Sequence, residues 1–214
     1  GTLTGTRRAV LGAGLVDAFL VVDGEAAWFV RRDAGVQVDA VASLDATNPA
    51  GSVTFSNAAA VALPTAAAAL RRAAMVLSCA EAVGGIARTV EMSVEYAKVR
   101  QQFGKPIGSF QAVKHRCADM AVRAEVARSA TTYAAVAARD GADDADFQTQ
   151  VAKVLCANAY VLNAADNVQN HGGMGFTWEC DAHLFVKRSR AFDTTVGPRR
   201  AQLDALVAGF RAVA

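Results

Sequence analysis

Proline is scarce in this chain: four in 214 residues, with none from Thr65 to Arg100. A proline inside a helix removes a hydrogen bond and clashes with the preceding turn. That stretch therefore carries no proline to stop a helix. An excess of charge of one sign is also lacking, since 22 Lys and Arg against 20 Asp and Glu leave +2. The basic pairs in "LRRAA" and "GPRRA" stand isolated. With no Lys- or Arg-rich face and no aromatic ladder, nothing here marks a nucleic-acid partner. Cysteine occurs only at positions 79, 117, 156 and 180, too scattered for zinc-ligand spacing. Three of the four fall in predicted helices among Ala, Val and Met, where a thiol packs as a small apolar group. This is a reduced, cytoplasmic pattern, and no metal site is expected. No signal-peptide pattern is read at the start of this sequence, and no apolar run reads as long and charge-free enough to cross a bilayer, so no membrane partner is expected.

The chain is 53% hydrophobic, enough for a sizeable core. Residues 1–63 have the pattern of β-structure. "AFLVV" (18–22), "AAWFVRR" (26–32), "VQVDAV" (36–41) and "SVTFSNAAAVAL" (52–63) are short, rich in β-branched and aromatic residues, and separated by turn signals such as Asp23-Gly24 and Asn48-Pro49. The opening "GTLTGTRRAV" is strand-like too. Four short strands do not bury both faces of a sheet, so this portion is expected to lean on something else.

After Pro64 strong helix formers dominate. Between Thr65 and Arg100, polar residues at 71, 78, 81, 88, 91, 95 and 98 draw one stripe along a helix roughly 50 Å long. Further helices are predicted from Ser109, as N-cap, to about Arg139, from a cap at Asp146 to about Asn170, over about 179–192, and from Pro198 to about Val213. Glu179 and Asp181 suit the start of the fourth. The expected fold is mainly α: a bundle of long antiparallel helices at 64–214 after a partial antiparallel β-domain at 1–63.

The unusual residues lie at two helix breaks. The first is Arg100-Gln101-Gln102-Phe103-Gly104, followed by Phe110-Gln111. The second is Gln169-Asn170-His171-Gly172-Gly173-Met174-Gly175-Phe176. Arginine is always charged and offers a planar fork of donors that suits a phosphate. Glycine lets backbone N–H groups approach a ligand, and glutamine offers both a donor and an acceptor. Each break alone is compatible with a plain helix stop. His171 is compatible with a proton carrier, but reads first as a surface residue capping a helix end.

Together the breaks resemble the C-terminal half of an acyl-CoA dehydrogenase. "YAKVRQQFGKPIGSFQAVKHRCADM" is similar to the family's Tyr-Ala-x-x-Arg-x-x-Phe-Gly-x-x-Ile-x-x-x-Gln stretch with Ala-Asp-Met after it. "QNHGGMGF" is similar to its Gln-x-x-Gly-Gly-x-Gly-Phe. The resemblance runs from about residue 2 to the C-terminus. "FTWECDAHLFVKRSRA" looks like the actinobacterial sterol and unusual-acyl branch.

The resemblance implies FAD as cofactor. Arg100 would pair with the pyrophosphate, Phe103 pack beside the nucleotide and Gln102 and Gln111 contact it. The turn at Gln169, Gly172 and Gly173 would press against the ADP portion. In the family these groups usually serve the FAD of a neighbouring subunit, which implies a dimer or tetramer, or a heteromer with a homologous subunit. An acyl-CoA thioester as substrate and electron-transfer flavoprotein as electron acceptor are implied likewise. So are an N-terminal helical domain and an earlier part of the β-domain outside this sequence, with apolar surface exposed where they would sit. Two positions at which many members contact the flavin ring are held here by Ala9 and Leu11.

Desaturation needs a carboxylate at the carbon next to the thioester carbonyl. The family's usual Glu aligns with Val196, which cannot accept a proton, and the alternative position on the first bundle helix aligns with Ala74. Asp193, three residues early, and Glu81, the only acid between 65 and 90, remain the candidates for the base. Two readings stay open. One is an FAD-dependent acyl-CoA dehydrogenase performing α,β-desaturation. The other is a non-catalytic, FAD-gripping subunit of a heteromeric one.

Overall fold

The computed structural model describes the backbone of residues 1–213 and the side chains of residues 1–209. It divides into two compact units, Gly1–Arg71 and Arg72–Ala214.

The first unit holds five strands: β1 (Thr2–Leu11), β2 (Ala18–Asp23), β3 (Ala26–Arg31), β4 (Val36–Val41) and β5 (Ala50–Ala62). The strand-like opening segment forms a full strand. All pairings are antiparallel, in the order β1-β5-β3-β2, with β4 also on β5. The length of β5 allows this. Its first half pairs with β1 and β4, and its last residues with β3. Between the halves Asn57 takes a φ of 51°. Burial shifts there from Gly51, Val53 and Phe55 to Ala58 and Ala60, because one irregular residue swaps the faces of a period-two strand. Ala13, Val30, Val53, Phe55, Ala58 and Ala60 form the core of this unit. Leu20, Phe29 and Val61 are cross-strand neighbours and all exposed, an apolar row on one sheet face.

The second unit is the helical bundle. Helix α1 (Ala67–Val99) begins in the first unit and runs through the second. It is followed by α2 (Gln111–Asp140), α3 (Ala145–His171), α4 (Ala182–Thr194) and α5 (Arg199–Val213). Met75, Cys79, Ala82, Ile86, Thr89 and Ser93 are buried along α1, at the alternating three- and four-residue spacing of a packed helix face. On the opposite stripe Arg88 pairs with Glu91 and Glu95 in the open. The core joins this face to Ala127 and Ala134 of α2, to Ala152, Cys156 and Tyr160 of α3, and to Phe192 of α4. Contacts at 93/167 and 96/171 make α1 and α3 parallel, and those at 116/170 and 131/156 make α2 antiparallel to α3.

Four expectations need correction. α1 is, by length and composition, apolar enough to cross a membrane; its buried face belongs to the bundle core, and a core helix passes the same test. Ser109 does not cap α2, since it ends a 3-10 turn (Ile107–Ser109) and Phe110 holds the N-cap position. Asp146 is not a cap either. Asp144 precedes α3, and Asp146 lies in its first turn, paired with Arg72 at 3.0 Å. Glu179 lies before α4, and Asp181 occupies its N-cap position without a side-chain cap bond.

Candidate cofactor-binding site

The first helix break is a miniature hairpin. After α1, β6 (Gln101–Gln102) pairs with β7 (Lys105–Pro106). Phe103 and Gly104, between them, have φ of 52° and 76°. Two positive φ values in a two-residue loop make the primed turn whose twist matches paired strands. Glycine takes that shape freely, but a phenylalanine is a backbone outlier, and such strain concentrates at functional positions. The Phe103 ring is 91% exposed. It meets Phe110 edge-on at 6.0 Å, and Lys105 Nζ lies 4.6 Å from the Phe110 ring centroid. The Ile107 N–H donates to the Arg100 carbonyl at 2.8 Å and closes the loop. A Cβ on Gly108 would lie 2.9 Å from the Ala97 carbonyl oxygen, so the chain returns over the last turn of α1 only because a glycine is there.

The second break ends α3. Gly172 takes a φ of 58° and returns its N–H to the Gln169 carbonyl. A 3-10 turn (Gly172–Phe176) follows. Its Gly175 is packed so that a Cβ would lie 2.5 Å from the Val168 carbonyl oxygen. Around Gly172 and Gly173 a Cβ would meet nothing within 4 Å. The backbone there is open, and Phe176 beyond it is 82% exposed.

Buried side chains bring the two breaks to the same end of the bundle. The Tyr96 ring stacks on His171, with centroids 4.4 Å apart and an interplanar angle of 25°. One turn earlier the Ser93 hydroxyl donates to Asn167 Oδ1 at 2.9 Å, with both residues fully buried. Asn163, Asn167 and Asn170 continue this polar seam along α3. Arg123 Nε donates to Asn163 at 2.7 Å and Arg116 Nη1 to Asn170 at 3.2 Å, and both arginines also pair with Asp166. Sequence reasoning missed the seam. Its signal was three asparagines at steps of four and three on an otherwise alanine-rich helix face. His171 is buried, not a surface cap. Its Nδ1 lies 2.8 Å from the Asn167 carbonyl, which only accepts, so the proton sits on Nδ1.

The predicted cofactor residues divide by role. Arg100, Gln102, Phe103, Gln111, Gln169, Gly172 and Gly173 are all exposed. Arg100 has no ion-pair partner among the described residues. Gln102 Nε2 donates to its neighbour's carbonyl at 2.8 Å. No carboxylate belongs to this set. An unpaired guanidinium, amide groups, open backbone and an exposed phenyl ring suit a dinucleotide diphosphate in charge and shape.

The candidates for the base lie elsewhere. Glu81 is on the exposed stripe of α1 and pairs with Arg188 of α4. Asp193, in the last turn of α4, has Arg199 Nε 3.7 Å from Oδ1, too far for a hydrogen bond. Val196 packs against the bundle core, and Ala74 is exposed. The structure does not bring Glu81 and Asp193 together with the exposed residues around Arg100.

Comparison with known proteins follows this geometry. The family model for the acyl-CoA dehydrogenase C-terminal domain matches residues 57–210. The Mycobacterium tuberculosis protein "Acyl-CoA dehydrogenase FadE34" is 38% identical over 202 residues, covering 92% of this chain and 28% of that protein. Among solved structures, the Tcur3481–Tcur3483 steroid ACAD variant superposes with a TM-score of 0.90 at 28% identity, over 99% of this chain and 60% of that one. The ChsE4–ChsE5 complex from M. tuberculosis gives 0.87 at 30% identity, over 98% and 60%. The chain spans less than two thirds of the length of each of these proteins.

Proposed function

The chain belongs to the acyl-CoA dehydrogenase family, and from that premise we propose that it holds FAD in an assembly that desaturates a CoA thioester between its α- and β-carbons. The observation that carries this is the Tyr96–His171 stack. It holds the exposed helix ends that carry Arg100 and the glycine turn at one end of the bundle, which supports reading them as one clasp. Arg100 would neutralise the pyrophosphate, the open backbone at Gly172 and Gly173 would press against the ADP portion, Phe103 would cover the nucleotide, and Gln102, Gln111 and Gln169 would complete the contacts. When bound, FAD supplies the acceptor for the hydride leaving the β-carbon.

A second reading has its own observation. Val196 cannot take a proton and is turned into core packing, while Glu81 and Asp193 face arginines. These features favour an FAD-gripping subunit whose partner, a homologous chain, supplies the base. The two-component names of the steroid ACAD and the ChsE4–ChsE5 complex support that arrangement. A sterol-derived acyl group and electron-transfer flavoprotein as acceptor are proposed on the same footing, as is a cytoplasmic location.

The test is spectroscopic. Purified protein reconstituted with FAD should retain flavin absorbance after desalting. Dye reduction on adding acyl-CoAs is then compared for the chain alone and with a homologous partner. Reduction only with the partner selects the second reading, and reduction by the chain alone selects the first. Failure to retain flavin in either setting ends both.

A further inference from the structure

Lys153 is a charged residue that the cofactor clasp does not use. It lies on α3 and is fully buried. An ammonium taken out of water needs partners for its protons. Nζ donates to the Phe192 carbonyl at 2.5 Å and to the Thr195 carbonyl at 2.8 Å. The Phe192 ring centroid lies 3.6 Å from Nζ, within reach of a cation–π contact. Both carbonyls belong to the C-terminal end of α4, where unsatisfied acceptors collect partial negative charge. α3 thus supplies a cationic cap for a different helix.

The turn beyond that cap is strained. Val196 has a φ of 52°, a left-handed conformation that a β-branched residue adopts only when its surroundings enforce it. The Thr195 carbonyl held by Lys153 immediately precedes it. Thr195 is fixed from its other side as well, since its N–H reaches the Ala191 and Phe192 carbonyls at 3.1 Å and its hydroxyl reaches Ala191 at 2.8 Å.

We propose that Lys153 is a positioning residue: its buried ammonium ties off α4 and holds the Thr195–Pro198 turn in the left-handed bend at Val196. This turn aligns with the family's usual base position, so its purpose rests on the proposed function, whereas the geometric claim does not. Among the described residues, other titratable groups also face the ammonium. Cys79 comes from α1, Cys156 from α3 itself and Asp193 from α4, with Arg199 of α5 behind Asp193. α2 contributes the Thr131 hydroxyl, 3.2 Å from Cys156 Sγ. Burial pushes Lys153 down from 10.5 to about 8, so its charge changes at mildly alkaline pH.

The experiment is an NMR titration of the full chain with labelled lysine side chains and backbone amides. Lys153 should titrate well below the other lysines. The amide signals of Thr195 and Val196 should move with its midpoint while those of Arg100 and Gly172 stay still. Turn signals that remain flat through the Lys153 transition would overturn the proposal. In Lys153→Met the amide–Hα scalar coupling of Val196 should leave its left-handed value, and an unchanged coupling would also overturn it. Should Lys153→Met not fold, the titration of the unaltered chain still decides. Neither readout involves flavin or turnover, so loss of the dehydrogenase reading and loss of the Lys153 role are separately visible.

Discussion

At one end of the bundle, Arg100, Phe103, Gln111 and Gln169 are exposed, and Arg100 has no ion-pair partner among the described residues. At the other end, Lys153, Cys79, Cys156 and Thr131 are buried and face one another or backbone carbonyls. There a hydrogen bond donated to Cys156, together with burial, pushes the Cys79 thiol up. Both ends contain a bulky residue in a left-handed bend, Phe103 and Val196. At the first, the strained residue is an exposed ring in an open hairpin. At the second it packs inward, and the surrounding bonds hold a loop. The difference teaches that, on the proposed reading, groups kept for a ligand add little to folding, whereas the groups around the Val196 turn are sealed from water.

The contrast can be broken most sharply at Arg100. Arg100→Ala should weaken flavin binding at least about 30-fold, in line with roughly 2–5 kcal/mol for removing one member of a buried charge pair. Its urea unfolding should shift by less than about 0.5 kcal/mol, as for an exposed residue. A large stability loss would erase the distinction between the ends.

Lys153 should show the reverse. Its pKa is lower in the folded chain than the ordinary 10.5. Between about 8 and 10.5 the unfolded chain therefore holds more protons, and stability should rise with pH across that window. Below about 8 the cost of burying the charge is fully present. The rise should be on the order of 3 kcal/mol. It should appear in the difference between denaturation curves of the unaltered protein and Lys153→Met, which removes the titrating group.

Asn167→Ala joins the two properties, because it leaves the buried Ser93 hydroxyl without its acceptor. It should cost about 1–3 kcal/mol in urea unfolding and also weaken flavin retention, since it loosens the seam beneath the clasp. The smallest effect is expected of Phe103→Gly. Removing the strained φ should raise stability by up to about 1 kcal/mol, while flavin retention falls. Such opposed signs are the usual mark of a residue kept for function.

Much of this was legible in the sequence, for identifiable reasons. The five helices follow from composition and periodicity, and their ends fall within a few residues of Pro64, Gly141, Gly172 and Pro198. Arg100 and the glycine turn stood out only together, through their resemblance to one family's paired motifs, because a cation or clustered glycines at a single helix end are ordinary helix stops. The hairpin at 101–106 was not legible, since two-residue strands leave no alternation to read. Nor was the role of Lys153: a lysine amid apolar helix residues ordinarily lies at the surface, and only the approach of the α4 carbonyls explains its burial. The stacking of Tyr96 on His171 joins residues 75 positions apart, a pairing that no local pattern announces.

The central claim is that Arg100 and the glycine turn form a single clasp for one dinucleotide. Titrating the amide-labelled chain with FAD tests it most directly. The account predicts that the signals of Arg100, Gln102, Gln111, Gln169, Gly172 and Gly173 shift together with one dissociation constant. Shifts confined to one of the two helix ends, or a saturable response elsewhere with both ends silent, would contradict it.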